Sequence, residues 1–341
     1  MDVQDEALEL FEGCGAEFAG GLANHGPMAA DALIAMGRPE EVVSWAERYR
    51  VRLEDAESPR WPIVAAEWRE ALGDPARMAD WVAFFEREIA LGTWQDALRT
   101  WVPRLAPGFL ASGTHGMLRT AHAVRALEFE DSALRRAELA RGLALWAARY
   151  ATLPALPYSG PTFELPEAAA HVPIVPREER QARGFLTQTV QQLADRPEFG
   201  PAIGLLSLDG PIGPQISRFT RVFAQVYLEN ARTPIPFVHS VTAPSAIRML
   251  EPHIGEEASR ELLRYAWQAA AGFLAVYSNP GGPVAAPAPA EIADLPDRAI
   301  ASGDEHAIKF TEACLREFAI SGDEVFVVAA TDVGGRLRAG R

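Results

Sequence analysis

Apolar residues recur every three or four positions through most of this chain, and alternating runs are few. Met78, Trp81, Val82, Phe85 and Ile89 follow Asp74-Pro75 at helical spacing, an acidic cap and a first-turn proline, and Gly92 closes the segment. The same signals predict helices from Trp61 to Leu72, stopping at Gly73, and from Ser132 to Tyr150, with Asp131 as the cap. Pro27 suits the first turn of another, which reaches about Met36 and leaves His25 at its mouth. Ser259 to Tyr277 reads as a helix whose second half, Trp267 to Leu274, is apolar almost all round, as a buried central helix should be. Glu324 to Ala330 is too short for periodicity to choose between a strand and a closing helix.

Two Pro-rich stretches, 152–176 and 279–297, interrupt the helices. Leu153, Tyr158, Phe163 and Val175 are interleaved in the first, which marks it as an ordered or lid-like excursion rather than a flexible linker. The prediction is an all-α chain, one large helical domain over 1–341, and the uneven helix spacing disfavours a repeat array.

Composition narrows the function. The apolar share of 48% and charged share of 23% are those of a folded globular chain. A net charge of −14 without a basic run argues against nucleic-acid or anionic-membrane partners. Cys14 and Cys314 are too few for a disulfide framework or a thiolate zinc site. The acidic start, Asp2 to Glu6, is unlike a signal peptide, and no stretch of eighteen apolar residues is present, so the expected location is the cytoplasm. The glycine motifs of dinucleotide and phosphate binding, the H-E-x-x-H metal helix and the nucleophile elbow are all missing. A bound flavin or nicotinamide on a Rossmann domain is therefore not expected.

The histidines carry what chemistry remains. Only seven occur, most of them in short polar or turn-flanked phrases. His115 and His122 are seven residues apart, so they share one helix face about 10.5 Å apart along its axis. That separation suits one ligand and one neighbour rather than two ligands. His306 and Lys309 stand at the i, i+3 spacing that brings side chains together. Each residue also has a plainer reading, as a hydrogen-bonded core histidine or, for Lys309, as a surface bridge to Glu305. His171 and His253 lie in loop-like, proline-flanked sequence and are assigned no role.

Four phrases resemble the questin oxidase-like proteins, in that family's order. They are Asn24-His25-Gly26-Pro27-Met28-Ala29-Ala30-Asp31-Ala32-Leu33 with Gly37-Arg38-Pro39 after it, the phrase around His115, Val238-His239-Ser240-Val241-Thr242, and His306-Ala307-Ile308-Lys309. The resemblance implies an all-helical fold and oxidative cleavage of polycyclic quinones, by Baeyer–Villiger-type insertion or ring-opening dioxygenation. It further implies a mononuclear non-haem Fe(II) without flavin, held by His25, His115, His239, His306 and Lys309, the lysine in modified form. Fungal members tend to carry a second histidine where this chain has Arg119, so His122 is expected to stand in near the metal. His122 and Arg119 are the candidates for steering a phenolate or quinone oxygen.

Imidazoles alone do not choose a metal, but oxygen activation needs a redox-active one. A cationic lysine cannot ligate, so Lys309 must lose its proton through burial or carry a CO2-derived carbamate. The reading is an iron-dependent oxygenase taking O2 and a small aromatic quinone into a pocket lined by Trp, Phe and Leu. One rival is a Baeyer–Villiger monooxygenase of the same fold, using NADPH as a free reductant. The other is a non-enzymatic helical scaffold whose histidines are structural.

Overall fold

The computed structural model describes residues 2–181, 184–230, 232–279 and 287–337. Helix takes 69% of the described residues and strand 2%, against the roughly 20–25% strand of ordinary globular proteins, so the all-α expectation holds. The sheet among the described residues is an antiparallel pair, β1 (Glu17–Phe18) and β2 (Leu22–Ala23). No helix among the described residues is long and apolar enough to cross a membrane. The chain divides into two compact units, Met1–Thr152 with Met249–Ala258, and Leu153–Arg248 with Ser259–Arg341.

The first unit contains α1 (Val3–Leu10), α2 (Gly26–Ala35), α3 (Val42–Arg50), α4 (Met78–Ala90), α5 (Trp94–Leu105), α6 (His115–Phe129) and α7 (Ala133–Ala148). As predicted, Asp74 caps the turn before α4, its carboxylate accepting from the Ala76 N–H. The apolar face of α4 buries Trp81, Phe84 and Phe85 against Trp101 of α5, with ring centroids 5.1 to 6.2 Å apart and mostly edge to face. Such pairs contribute about 0.5–1.5 kcal/mol each beyond area burial.

Two of the predicted helix limits change. Between Trp61 and Leu72 only Trp68–Ala71 is helical, as one 3₁₀ turn. Pro62 has no N–H to give a helix, and the N–H groups of Arg60 and Trp61 are drawn off to the Asp80 carboxylate. Ser132, not Asp131, caps α7 by accepting from the Arg135 N–H, while Asp131 pairs with Arg136.

Helices α6 and α7 touch through reciprocal glycines. A Cβ on Gly116 would lie 2.5 Å from Trp146 Cα, and one on Gly142 would lie 2.8 Å from the Thr120 nitrogen. Gly116→Ala should therefore destabilise the chain by about 1–3 kcal/mol, although alanine is the better helix former. A lowered urea midpoint with unchanged slope is the expected result, and an unchanged or raised midpoint would show that the helices separate freely.

The second unit contains α8 (Leu165–Ala170), α9 (Leu186–Val190), α10 (Ile212–Glu229), most of α11 (Pro234–Tyr277), α12 (Leu295–Ser302), α13 (Glu305–Ser321) and α14 (Val325–Arg336). Helix α11 is interrupted at Gly255, with φ 80° and ψ 169°, three residues after Pro252. That pair of helix breakers gives the kink an identifiable cause. Beyond the break, Leu262, Leu263, Trp267, Ala270, Ala271 and Phe273 are all buried, as the apolar run predicts. The 324–330 segment resolves as the start of a closing helix, α14, rather than a strand.

The first Pro-rich excursion is ordered. The Phe163 N–H donates to Leu205, the Ser207 N–H to Phe163, and the Val175 N–H to Ala275, at 2.8 to 2.9 Å. In the second, residues 280–286, with Gly281-Gly282 among them, lie outside the described residues.

Candidate metal centre

His25 occupies the N-cap position of α2. Asn24 shapes the turn around it, its Oδ1 accepting from the Gly26 N–H at 2.9 Å and its Nδ2 donating to the Gly15 carbonyl at 3.2 Å. The His25 backbone N–H donates to the Tyr49 hydroxyl oxygen at 2.9 Å. Tyr49 is itself fixed by stacking on Trp45, with centroids 4.9 Å apart.

His115 opens α6, and its Nδ1 lies 2.5 Å from the Ser112 carbonyl oxygen. A carbonyl only accepts, so Nδ1 carries the hydrogen and the Nε2 lone pair is left to point away. That Nε2 lies 2.6 Å from His25 Nε2, with the rings nearly perpendicular. Both histidines are buried. Two imidazole nitrogens this close repel unless a proton or a cation is shared between them, and borderline metals favour such nitrogens.

Arg119 lies one turn along α6. Its Nε and Nη2 donate to the two oxygens of Glu138 at 2.6 and 2.9 Å, a two-pronged pair inside the unit. Its Nη1 is buried and has no hydrogen-bond partner among the described residues. His122 lies a further turn on, and its Nδ1 is 2.7 Å from Asp31 Oδ2, which also accepts from Arg125. Burial alone would raise the Asp31 pKa, but Arg125 and His122 outweigh it and hold the carboxyl at about 2. The side chain is therefore a carboxylate under all ordinary conditions.

In the second unit, His239 of α11 and His306 of α13 face each other edge to face, with centroids 5.6 Å apart. Asp304 caps α13 by accepting from the His306 N–H at 2.8 Å, and its carboxylate lies 3.2 Å from His306 Nδ1. Burial works against that carboxylate, yet hydrogen bonding and attraction from His306 leave its pKa below the usual value. Lys309 follows one turn after His306. It is only 2% exposed, so the surface bridge to Glu305 does not exist as such. Its Nζ has no hydrogen-bond partner among the described residues. Burial lowers the Lys309 pKa to about 7, despite the opposing pull of Glu305 and Asp304.

Within the first unit His25 thus lies beside His115, and within the second His239 lies beside His306, one helical turn before Lys309. The residues given no role are engaged elsewhere. His253 contacts Glu128 and Trp94, and His171 stacks on Phe163.

A cleft of about 560 Å³ opens within the first unit, lined by Cys14, Glu17, Phe18, Val82, Arg141 and Arg149 among others. Its wall is largely acidic, with Glu17, Glu54, Asp55, Glu57 and Glu86 beside Arg141 and Arg149. Burial raises the pKa of Glu17 in this wall, although Arg149 holds one of its oxygens through two hydrogen bonds.

Sequence reasoning missed Asp31, Tyr49, Ser112 and Glu138. Asp31 stands in the same phrase as His25, but its partner His122 is 91 residues away, and no periodicity reports such a pairing.

A family model described as questin oxidase-like matches residues 22–206, more than half of the chain. The matched stretch holds His25, His115, Arg119 and His122 and ends before His239. No curated protein matches the chain.

Proposed function

The chain belongs to the questin oxidase-like family, and from that membership we propose that it is a non-haem iron-dependent oxygenase of polycyclic aromatic quinones. The family implies an oxygenase acting on anthraquinone-type substrates. The metal, its ligands and the handling of substrate are our reading of the residues. One observation carries it: the 2.6 Å approach of His25 Nε2 to His115 Nε2 in a buried place, with the other nitrogen of His115 satisfied by a carbonyl.

The donors fit iron(II). Neutral imidazoles suit it, and a lysine with a lowered pKa is the cationic side chain that can become a ligand. The proposed set is His25, His115, His239, His306 and Lys309. Bound there, iron supplies the redox-active centre through which O2 reacts with a closed-shell aromatic ring.

The protein side of the chemistry follows from the partners already described. Uncharged Lys309 Nζ has a lone pair that can attack CO2. The N–C bond forms as one C=O pair moves to oxygen and a proton leaves, giving an anionic carbamate. Arg119, anchored on Glu138 by two nitrogens, keeps Nη1 as a donor for a quinone or phenolate oxygen. His122, its Nδ1–H held by the Asp31 carboxylate, takes the phenolic proton on Nε2. The cleft of the first unit is of ordinary small-molecule size, and Glu17 in its wall reaches Ser112, three residues before His115.

The test is anaerobic loading with Fe(II), followed by an anthraquinone and 18O2. Label in a ring-opened or lactone product, in proportion to bound iron and without NADPH, is the expected result. Turnover by metal-free protein that requires NADPH would replace this reading with the reductant-assisted monooxygenase. Absence of both metal binding and turnover would leave the scaffold.

A further inference from the structure

We propose that the turn Ser112-Gly113-Thr114 is a positioning device that locks His115 in the tautomer with hydrogen on Nδ1, so that Nε2, which faces His25 Nε2, presents a lone pair to a metal. The inference rests on the iron reading for its purpose, but not for its geometry.

All three residues of this turn have left-handed backbone, with φ of 49° at Ser112, 64° at Gly113 and 81° at Thr114. Glycine adopts that region without penalty, whereas serine and above all β-branched threonine are strained in it. Only three non-glycine residues with positive φ occur among the described residues, and two of them flank Gly113 immediately before His115. Strain of this kind persists only where the surroundings impose it, and it collects at working sites.

The strain has an identifiable effect. It turns the Ser112 carbonyl back toward the first residue of α6, where it lies 2.5 Å from His115 Nδ1 and 3.3 Å from the His115 backbone nitrogen. An extended turn would direct that carbonyl elsewhere. The free imidazole prefers hydrogen on Nε2, the form that cannot ligate through Nε2, so a fixed acceptor at Nδ1 reverses the natural preference.

The turn is anchored from outside. The Ser112 hydroxyl donates to Glu17 Oε1 at 3.4 Å, and Arg149 holds the other oxygen of Glu17. Glu17 is 95 residues away in sequence and stands in the wall of the cleft. Ser112, through its carbonyl, is thus a positioning residue for His115, and Glu17 supports it.

The test uses the full chain, metal-free, with 15N-labelled imidazoles at a pH where they are neutral. Two-bond 1H–15N correlation separates the tautomers. His115 should show hydrogen on Nδ1, while His253, whose Nε2 faces Glu128, should show hydrogen on Nε2 and serves as the internal contrast. Gly113→Val, which resists positive φ, should mix the His115 tautomers and weaken Fe(II) binding about 10–100-fold, the usual effect of losing a ligand's outer partner. Thr114→Asn, which accepts left-handed backbone, should keep both the tautomer and the affinity. Hydrogen on Nε2 of His115 in the wild type would overturn the proposal even if Gly113→Val does not fold. So would an affinity loss in Thr114→Asn equal to that of Gly113→Val. A locked Nδ1–H tautomer in a chain with no affinity for Fe(II) would support the lock and overturn the iron reading alone.

Discussion

His115→Ala is expected to remove bound iron and turnover together, each by at least about 100-fold, since even outer partners of a ligand are worth 10–100-fold. The variant deletes one of two nitrogens whose approach is already arranged without metal. His25→Ala should match it. His171→Ala and His253→Ala should keep full iron, because those rings are used against Phe163, Glu128 and Trp94. Iron per chain by elemental analysis, with single-turnover product yield, reads the result. Thermal unfolding adds a second line, since metal at a hundred times its dissociation constant stabilises the wild type by about 2.7 kcal/mol and should not stabilise the variant. If His25 and His115 merely share a proton, His115→Ala lowers stability, and iron has no effect on either protein. That outcome would leave the scaffold reading in place.

The sequence and the structure agree where a local rule decides. Periodicity and caps found α2, α4 and most of α7, and the apolar run found the buried half of α11, because helix ends and faces depend on residues three or four apart. The 61–72 segment went wrong because a distant acceptor, Asp80, competes for its N–H groups, and no local pattern records that. The site divides in the same way. His25, His306 and Lys309 were legible as phrases, the last two also by helical spacing. Their supports were not. Tyr49 reaches His25 across 24 residues, and Ser112 reaches His115 only because three successive residues turn left-handed, one of them a threonine that sequence rules place elsewhere. The Arg119 to Glu138 pairing is likewise hidden, since arginine and glutamate at such spacing are ordinary surface residues until burial is known.

Lys309→Met is expected to abolish turnover while making the metal-free chain more stable at neutral pH. In the fold the ammonium form is disfavoured by burial, and the pKa falls from 10.5 to about 7. Between those two values the unfolded chain holds a proton that the native chain does not. Native stability therefore rises with pH from about 7 to about 10, at up to about 1.4 kcal/mol per pH unit, and levels off on either side. Below pH 7 the wild type carries the full cost of the buried amine, on the order of a few kcal/mol. Methionine has similar length and no charge, so the variant should lack this slope and exceed the wild type at pH 7. Urea unfolding of both proteins at about pH 7 and pH 9.5, metal-free and depleted of CO2, isolates the lysine by difference.

The same side chain is proposed to complete the iron site. Four neutral histidines leave iron(II) at full charge, whereas a carbamate on Lys309 supplies the anionic oxygen that facial-triad iron sites take from Asp or Glu. Lys309→Met should thus lose at least about 100-fold in turnover, by the same scale as the histidine ligands. Lys309→Arg should not rescue it, because guanidinium neither deprotonates nor reacts with CO2. Lys309→Glu should recover part of the metal affinity by placing a carboxylate there. Bicarbonate during iron loading should raise wild-type activity and leave Lys309→Glu unchanged. Full turnover in Lys309→Met would remove the lysine from the reaction and leave its burial as a feature of the core.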